Sequence, residues 1–390
     1  MKALILDAEA RTANIQEVPA PSPLKSEILV RVEAIALNPI DPLYVKHPLA
    51  ASGRTTGSDF AGTVFSLGPE IPNTCKLEIG DRVSGFLQGA CSVNDRPGAF
   101  AEYLAIPWDL VWKIPENVKT EEAAGVSLVA LTAAQGLWYR LGLQAPFAYG
   151  KNGDLDKLPD QSTAKKDVPD IVNFFIYGAS TAVGLYAAQM ARLSAKASGK
   201  KIRLFGAASK ARWQMLKSEP YGYDHLVDYR DQDWPEQVRQ LSDGKIHYAY
   251  DCVSEDTSVE KVCSTLASDG QYAVVRSRAG KAWKADHLPI EPIYGAVWEG
   301  LGEEVQYQGF TVPKSLAARA FAVEFYRWLG GAVGSELTQA PIRLMPGGLE
   351  KVVEDGFRLL GSGKMEERQH GRSEDWMRPV SAEKLVYVLE

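Results

Sequence analysis

From Ile171 onward the sequence alternates between short β-branched or aromatic runs and amphipathic runs, a regularity that leaves few folds open. The runs are IVNFFIYG, TAVGLYAAQMARLSAK, KIRLFGAA, KARWQMLKS and HLVDY, then WPEQVRQLSD, YAYDCV, SVEKVCSTLA and GQYAVV. Strands that alternate with helices pack as a parallel sheet covered on both faces, the doubly wound α/β plan.

The chain before this series reads differently. Residues 1–39 alternate apolar and polar positions in short runs broken by Pro19, Pro21 and Pro23, the pattern of a β-rich region with turns. The clearest strand is 27–34, with further strands expected at 61–67, 82–86 and 99–105. Near Thr120 the pattern turns helical, with Thr120-Glu121-Glu122 capping EEAAGVSLVALTAAQGLWYRLGL. Residues 146–170, rich in Gly, Pro, Asp and Lys, read as a long surface loop. Beyond the alternating series, helices are expected near 316–329 and 349–360, and a closing strand at KLVYVL.

Composition narrows the function classes. With 390 residues, and roughly one domain per 150 residues as a guide, there is room for two domains with a core each. A formal net charge of -6 gives no basic footprint for nucleic acid. Asp7 and Glu9 interrupt the first apolar run, and no stretch reaches the ~18 residues of a membrane helix. The expectation is a cytoplasmic protein with neither nucleic acid nor membrane as partner. Cys75, Cys91, Cys252 and Cys263 lack the close pair spacings of a zinc or disulfide framework.

At Tyr177-Gly178-Ala179-Ser180-Thr181-Ala182-Val183-Gly184 a hydrophobic strand ends in small residues and enters a helix directly. Such a turn is either a tight packing corner or a cradle in which helix N–H groups and the helix dipole meet a pyrophosphate. Its position at the first strand–helix turn of the parallel series favours the cradle. The next strand, KIRLFGAA, lacks the acid that grips an adenosine ribose hydroxyl in NAD sites. Ser209, Lys210 and Arg212 follow it instead, groups suited to a 2′-phosphate, so NADPH is the expected cofactor.

The chain resembles the medium-chain dehydrogenase/reductase superfamily over nearly its whole length. The resemblance rests on LVRVEAIALNPID, GSDFAGTV, GDRVSGF, GAFAEYLAI, TAAQGL, YGASTAVG, VDYR, YDCV and EKLVYVL, in that order. It implies a GroES-like β-rich catalytic domain formed by 1–130 and 310–390, and a Rossmann NADPH-binding domain at 131–309. Within the superfamily, ALNPID, TAAQGLWYRLGL, the long loop and the ending look most like the fungal trans-acting enoyl reductases that partner polyketide synthases.

Alcohol dehydrogenases of the superfamily hold a catalytic zinc with a Cys after the strand at 29–36 and a His in a Gly-His-Glu turn. This chain has Asn38-Pro39-Ile40-Asp41 and Gly57-Ser58-Asp59 there. With Cys91 alone in the structural-zinc region and the five histidines scattered, no metal is expected.

The resemblance also implies site residues. Ile40, Asp41, Pro42 and Leu43 border the nicotinamide. Ser180, Thr181, Ala182, Val183 and Gly184 cradle the pyrophosphate. Ser209, Lys210, Arg212 and Tyr229 surround the 2′-phosphate, and Lys384 closes over the cofactor. Ala133, Ala134, Leu137 and Arg140 line an acyl pocket, and Thr132 stands beside the substrate, either orienting a carbonyl or water or simply packed. The lovastatin-type reductase has a Lys two positions after the Asp of its NP-x-D segment. Here that position is Leu43, so Tyr44 is the candidate proton donor or else a packing residue.

The expected activity is hydride addition to an α,β-unsaturated acyl thioester, carrier-bound or CoA-linked, by a monomer. Two alternatives stay open: a quinone or enone reductase acting on free small molecules, and a non-redox cyclase or binding scaffold that retains the fold.

Overall fold

The computed structural model describes residues 1–90, 96–149, 169–285, 287–307, 309–368 and 372–389. Most of the expected 146–170 loop, together with Cys91 and His370, lies outside them.

The alternating series forms a six-stranded sheet in the spatial order His225–Val227, Lys201–Ala207, Ile171–Tyr177, Ile246–Asp251, Leu266–Val274 and Ile293–Tyr294. Every pairing in it is parallel. Strand Ile171–Tyr177 lies between the second and fourth strands of the series, so the winding reverses beside it. Such a reversal leaves a crevice outside the carboxyl ends of the strands.

The second sheet has seven strands. Ile342–Met345, Lys384–Val388, Glu27–Ala36, Asp59–Leu67, Arg82–Phe86 and Val111–Lys113 run side by side, and Tyr103–Pro107 also pairs with Glu27–Ala36. Segments near both ends of the sequence therefore build one sheet around the parallel one. Leu385 and Val386 reach it from the far end of the chain and are buried beside Ile35 and Ala36.

Two expectations fail for local reasons. The strand expected at 99–105 begins only at Tyr103. Residues 98–101 fold instead into a corner, where Ala99 and Phe100 donate to Gly57 and Thr56 carbonyls and Leu4 donates to Phe100 O. A Cβ on Gly98 would lie 2.3 Å from Thr56 O, so this corner admits no side chain there. The helix expected at 349–360 is a succession of 3₁₀, π and α turns. At its centre, a Cβ on Gly356 would meet Leu37 Cδ1 at 2.3 Å, so the turns bend to press backbone against the catalytic sheet.

The helical region after Thr120 comprises Thr120–Ala124 and Ser127–Ala134, and the second runs into a π-helical turn, Gln135–Arg140. In that turn Leu141 N–H reaches Gly136 O at 3.0 Å, five residues back. The extra residue per turn directs Trp138 into an aromatic cluster. It packs edge-on to Phe147 and Trp328 at 5.6 and 5.4 Å between centroids, and its Nε1 donates to Ser194 Oγ at 2.7 Å. Trp138→Ala removes this fully buried ring and strands the Ser194 hydroxyl. The expected loss is about 3–5 kcal/mol, read as a lowered denaturant midpoint.

Candidate active site

The two sheets face each other across a cleft of about 870 Å³. One wall is the strand–turn–helix corner after Tyr177. Gly178 sits at φ 74°, a left-handed conformation that costs glycine nothing. A Cβ on Gly184 would lie 2.4 Å from Gly178 O, so the helix Ala182–Ser198 packs directly on the turn. The Thr181 hydroxyl caps this helix, accepting from Gly184 N at 3.0 Å and donating to Gly178 O at 2.8 Å. Ser180, Thr181, Ala182 and Val183 line the cleft, where helix N–H groups and the dipole favour an anion.

At the end of the neighbouring strand, Ala207, Ala208 and Ser209 also line the cleft. Lys210 is exposed. Arg212 is half-buried and crosses to the catalytic lobe, its Nε donating to Ser381 Oγ at 3.0 Å. Tyr229 stands at the rim with the Arg230 guanidinium 4.9 Å from its ring centre. Arg230 follows Tyr229 in the VDYR run, a cation that no pattern in the sequence marks as part of the site.

Asp251, at the end of its strand, is buried and organises the loop that follows. It accepts from Val253 N, Ser254 N and Ser258 Oγ. Burial raises its carboxyl to about 6, and these donors hold the rise in check. Further along, Glu255 pairs with Arg276 at 2.6 Å, Arg276 donates to Gly363 O, and Met365 N donates to Glu255. The bonds to Gly363 and Met365 stitch the two lobes together across the cleft. Neither of these two was anticipated, because partners about 90–110 residues apart leave no local pattern.

The catalytic lobe supplies the opposite wall. Ile40 and Leu43 line it from the helix Ile40–Lys46, and Leu128, Val129 and Thr132 from Ser127–Ala134. The Thr132 hydroxyl donates to Leu128 O at 2.8 Å. Asp41 and Pro42 are buried behind that wall. Tyr44 is buried too, and its hydroxyl accepts from Gln88 Nε2 at 2.7 Å. Ala133, Ala134 and Leu137, expected in an acyl pocket, are turned into the core, and Arg140 is paired with Glu299 at 2.8 Å. Trp298, which the sequence reading missed, lines the cleft from the far side of the wall.

Beneath the floor lies a buried polar cluster. Asn38 Nδ2 donates to Ser58 Oγ and Asp59 Oδ2 at 3.0 and 2.9 Å. Asp41 accepts from Asn38 N at 2.7 Å and from the Ser58 hydroxyl at 2.8 Å. Lys384 Nζ donates to Asn38 Oδ1 and Asp59 Oδ2 at 2.5 and 3.0 Å. Lys384, expected at the cofactor, thus borders the cleft with its ammonium bound inward.

Burial raises the Asp41 carboxyl from 3.8 to about 7, even though Asn38, Ser58 and the Lys384 charge favour its ionised form. The folded protein therefore binds this proton more tightly than the unfolded chain does. The stability tied to Asp41 is greatest at low pH and is lost as pH rises from 3.8 towards 7. In Asp41→Asn that loss is absent, so across this window the stability difference should move steadily in favour of the variant. Chemical denaturation of both proteins at several pH values reads it; a constant difference contradicts the raised carboxyl.

Residues 24–116 match a family profile described as the alcohol dehydrogenase GroES-like domain, and residues 182–294 one described as zinc-binding dehydrogenase. The residues here do not fit a zinc ion. Asn38, Ser58 and Asp59 occupy the relevant segments and an ammonium fills the space between Asn38 and Asp59. Among the described residues no group of three His, Cys, Asp or Glu could hold a metal. No helix among them is long and apolar enough to cross a membrane. Trans-enoyl reductase traG of Penicillium crustosum is 30% identical over 359 residues, 90% of this chain and 91% of its own. Trans-enoyl reductase thnE of Trichoderma harzianum is 28% identical over 362 residues, 90% of each chain. The solved CurK enoyl reductase matches with a TM-score of 0.67 at 17% identity, over 99% of this chain and 98% of its own. A mycobacterial protein solved in complex with NADPH also gives 0.67, at 19% identity over 100% of both chains. A GroES-like lobe joined to a Rossmann-type sheet, with relatives aligned along nine-tenths of the sequence, makes this chain a member of the medium-chain dehydrogenase/reductase superfamily of oxidoreductases, similar within it to fungal trans-enoyl reductases.

Proposed function

We propose that the protein is an NADPH-dependent, zinc-independent trans-acting enoyl reductase. Its substrate is an α,β-unsaturated acyl thioester presented by a polyketide synthase carrier domain. The observation that carries this reading is the wall facing the nucleotide cradle. It is apolar, formed by Ile40, Leu43, Leu128 and Val129, with Thr132 beside them. Such a wall suits an alkene already polarised by its own thioester carbonyl.

When bound, the reduced nicotinamide supplies a hydride for the β-carbon. The apolar wall binds the acyl chain and keeps water from the reacting face. Thr132 spends its proton on Leu128 O, so the hydroxyl offers the cleft an acceptor. That acceptor orients the water that protonates the α-carbon. Tyr44, held by Gln88 behind Leu43, supports the wall and touches neither reactant.

Thioester-linked enoyl chains and free enones, assayed side by side for loss of NADPH absorbance, test the substrate class. Preference for the thioester is expected; preference for free enones makes the protein a small-molecule enone reductase, and no turnover of either sinks the redox reading. On the accepted substrate Thr132→Val should lower kcat about 100-fold or more, with NADPH affinity little changed. Tyr44→Phe should retain most of the rate, and its loss would make Tyr44 the donor.

The cofactor preference rests on Ser209, Lys210, Arg212 and Tyr229, with Arg230 beside them, and on the missing acid at the end of Lys201–Ala207. A double variant, Lys210→Glu with Arg212→Ala, should weaken NADPH at least about 100-fold and leave NADH nearly unchanged. Equal losses for both nucleotides would overturn the preference.

A further inference from the structure

The buried cluster beneath the cleft does more than fill space. Lys384 is 5% exposed in its side chain and Asp59 is fully buried, a costly arrangement that a Met and a Leu would avoid. Each partner of the lysine leads to a different part of the reacting wall. Asp59 Oδ1 accepts from Leu128 N at 2.9 Å, anchoring the start of the helix whose next turn brings Thr132. Thr132 in turn bonds the carbonyl of that same Leu128. Asn38 N donates to Asp41, the second residue of the helix that carries Leu43. The ammonium is the node where these two chains of contact meet.

We propose that Lys384 is a built-in cation of the cleft floor, and that through Asn38 and Asp59 it positions segments 38–43 and 128–132 for hydride transfer. Its distances to oxygen, 2.5 and 3.0 Å, are those of an ammonium donating hydrogen bonds. Zinc–oxygen bonds are shorter, about 2.0–2.2 Å. An ammonium neutralises the carboxylate as a metal ion does, but it offers no open coordination position for a substrate oxygen. It is also fixed covalently to the strand Lys384–Val388, so its charge cannot dissociate. Lys384 is a positioning residue: it acts through Asp59 and Asn38. Its effect on turnover rests on the enoyl reductase reading, whereas its effects on the cleft floor and on metal uptake do not.

Three proteins test this: the parent, Lys384→Met, and the double variant Asp59→Asn with Lys384→Met. Each is measured for thermal midpoint, for the emission of bound NADPH, which reports the surroundings of the nicotinamide, and for the single-turnover rate of NADPH oxidation. Lys384→Met leaves Asp59 buried without its cation, and its midpoint should fall by at least about 5 °C. The double variant removes both charges and should regain most of that midpoint. In both variants the single-turnover rate should stay about 10–100-fold below the parent and the NADPH emission should stay altered, with NADPH Kd within about threefold of the parent. If Lys384→Met does not fold, the double variant alone decides.

Recovery of both rate and emission in the double variant would overturn the proposal, since the pair would then serve stability alone. Parent-like emission and rate in Lys384→Met would overturn it as well. So would one equivalent of zinc retained by the parent after dialysis against a chelator. If the parent turns over no thioester or enone, the enoyl reductase reading falls, and NADPH emission, midpoint and zinc content still decide the role of Lys384.

Discussion

The close approach of Gly184 to the carbonyl of Gly178 is the contact on which the cleft depends. It brings the first turn of the helix Ala182–Ser198 against the end of strand Ile171–Tyr177, at the point where the winding of the parallel sheet reverses. Helix N–H groups, the ends of the neighbouring strands and the loop after Asp251 all converge there. A side chain at Gly184 would lift the helix off the turn, and the wall that faces a nucleotide would lose its shape.

Around that corner, carboxyl groups buried at element ends set the rest of the geometry. Asp251 holds the loop below the nucleotide side through two backbone N–H groups and Ser258. Asp41 and Asp59 do the same for the catalytic lobe, with Lys384 between Asn38 and Asp59. Isolated charges in such places are expensive, and each carboxylate is accordingly surrounded by donors. The cleft floor is thus defined by directional bonds, and the apolar wall above it by packing.

Much of this was legible in the sequence because it is written in local patterns. Alternation from Ile171 onward specifies the parallel sheet, and the small residues from Gly178 to Gly184 mark the corner. The stretch GAASKAR identifies a strand end without an acid and with cations close behind. The parts that escaped are those fixed by tertiary contact. The corner at 98–101 looks like a strand because it is apolar, but Ala99 and Phe100 spend their N–H groups on the carbonyls of Gly57 and Thr56, far off in sequence. The segment 133–140 resembles a pocket lining, yet the π-helical turn rotates Leu137 and Trp138 into the core and leaves Arg140 to Glu299. Lys384 looks like a cofactor ligand only through the family resemblance, and nothing near it in sequence reveals a carboxylate waiting inside.

That waiting bears on how the chain is made. Asp59 and Lys384 are separated by 325 residues, and the whole parallel sheet is synthesised between them. While the ribosome is still adding the later strands, the Rossmann-type lobe has its local contacts and is able to fold as a unit. Within the catalytic sheet, the cation that faces buried Asp59 comes from strand Lys384–Val388, on the far side of the parallel series in sequence. The topology thus makes the charge balance of the catalytic sheet depend on segments from both sides of the nucleotide lobe.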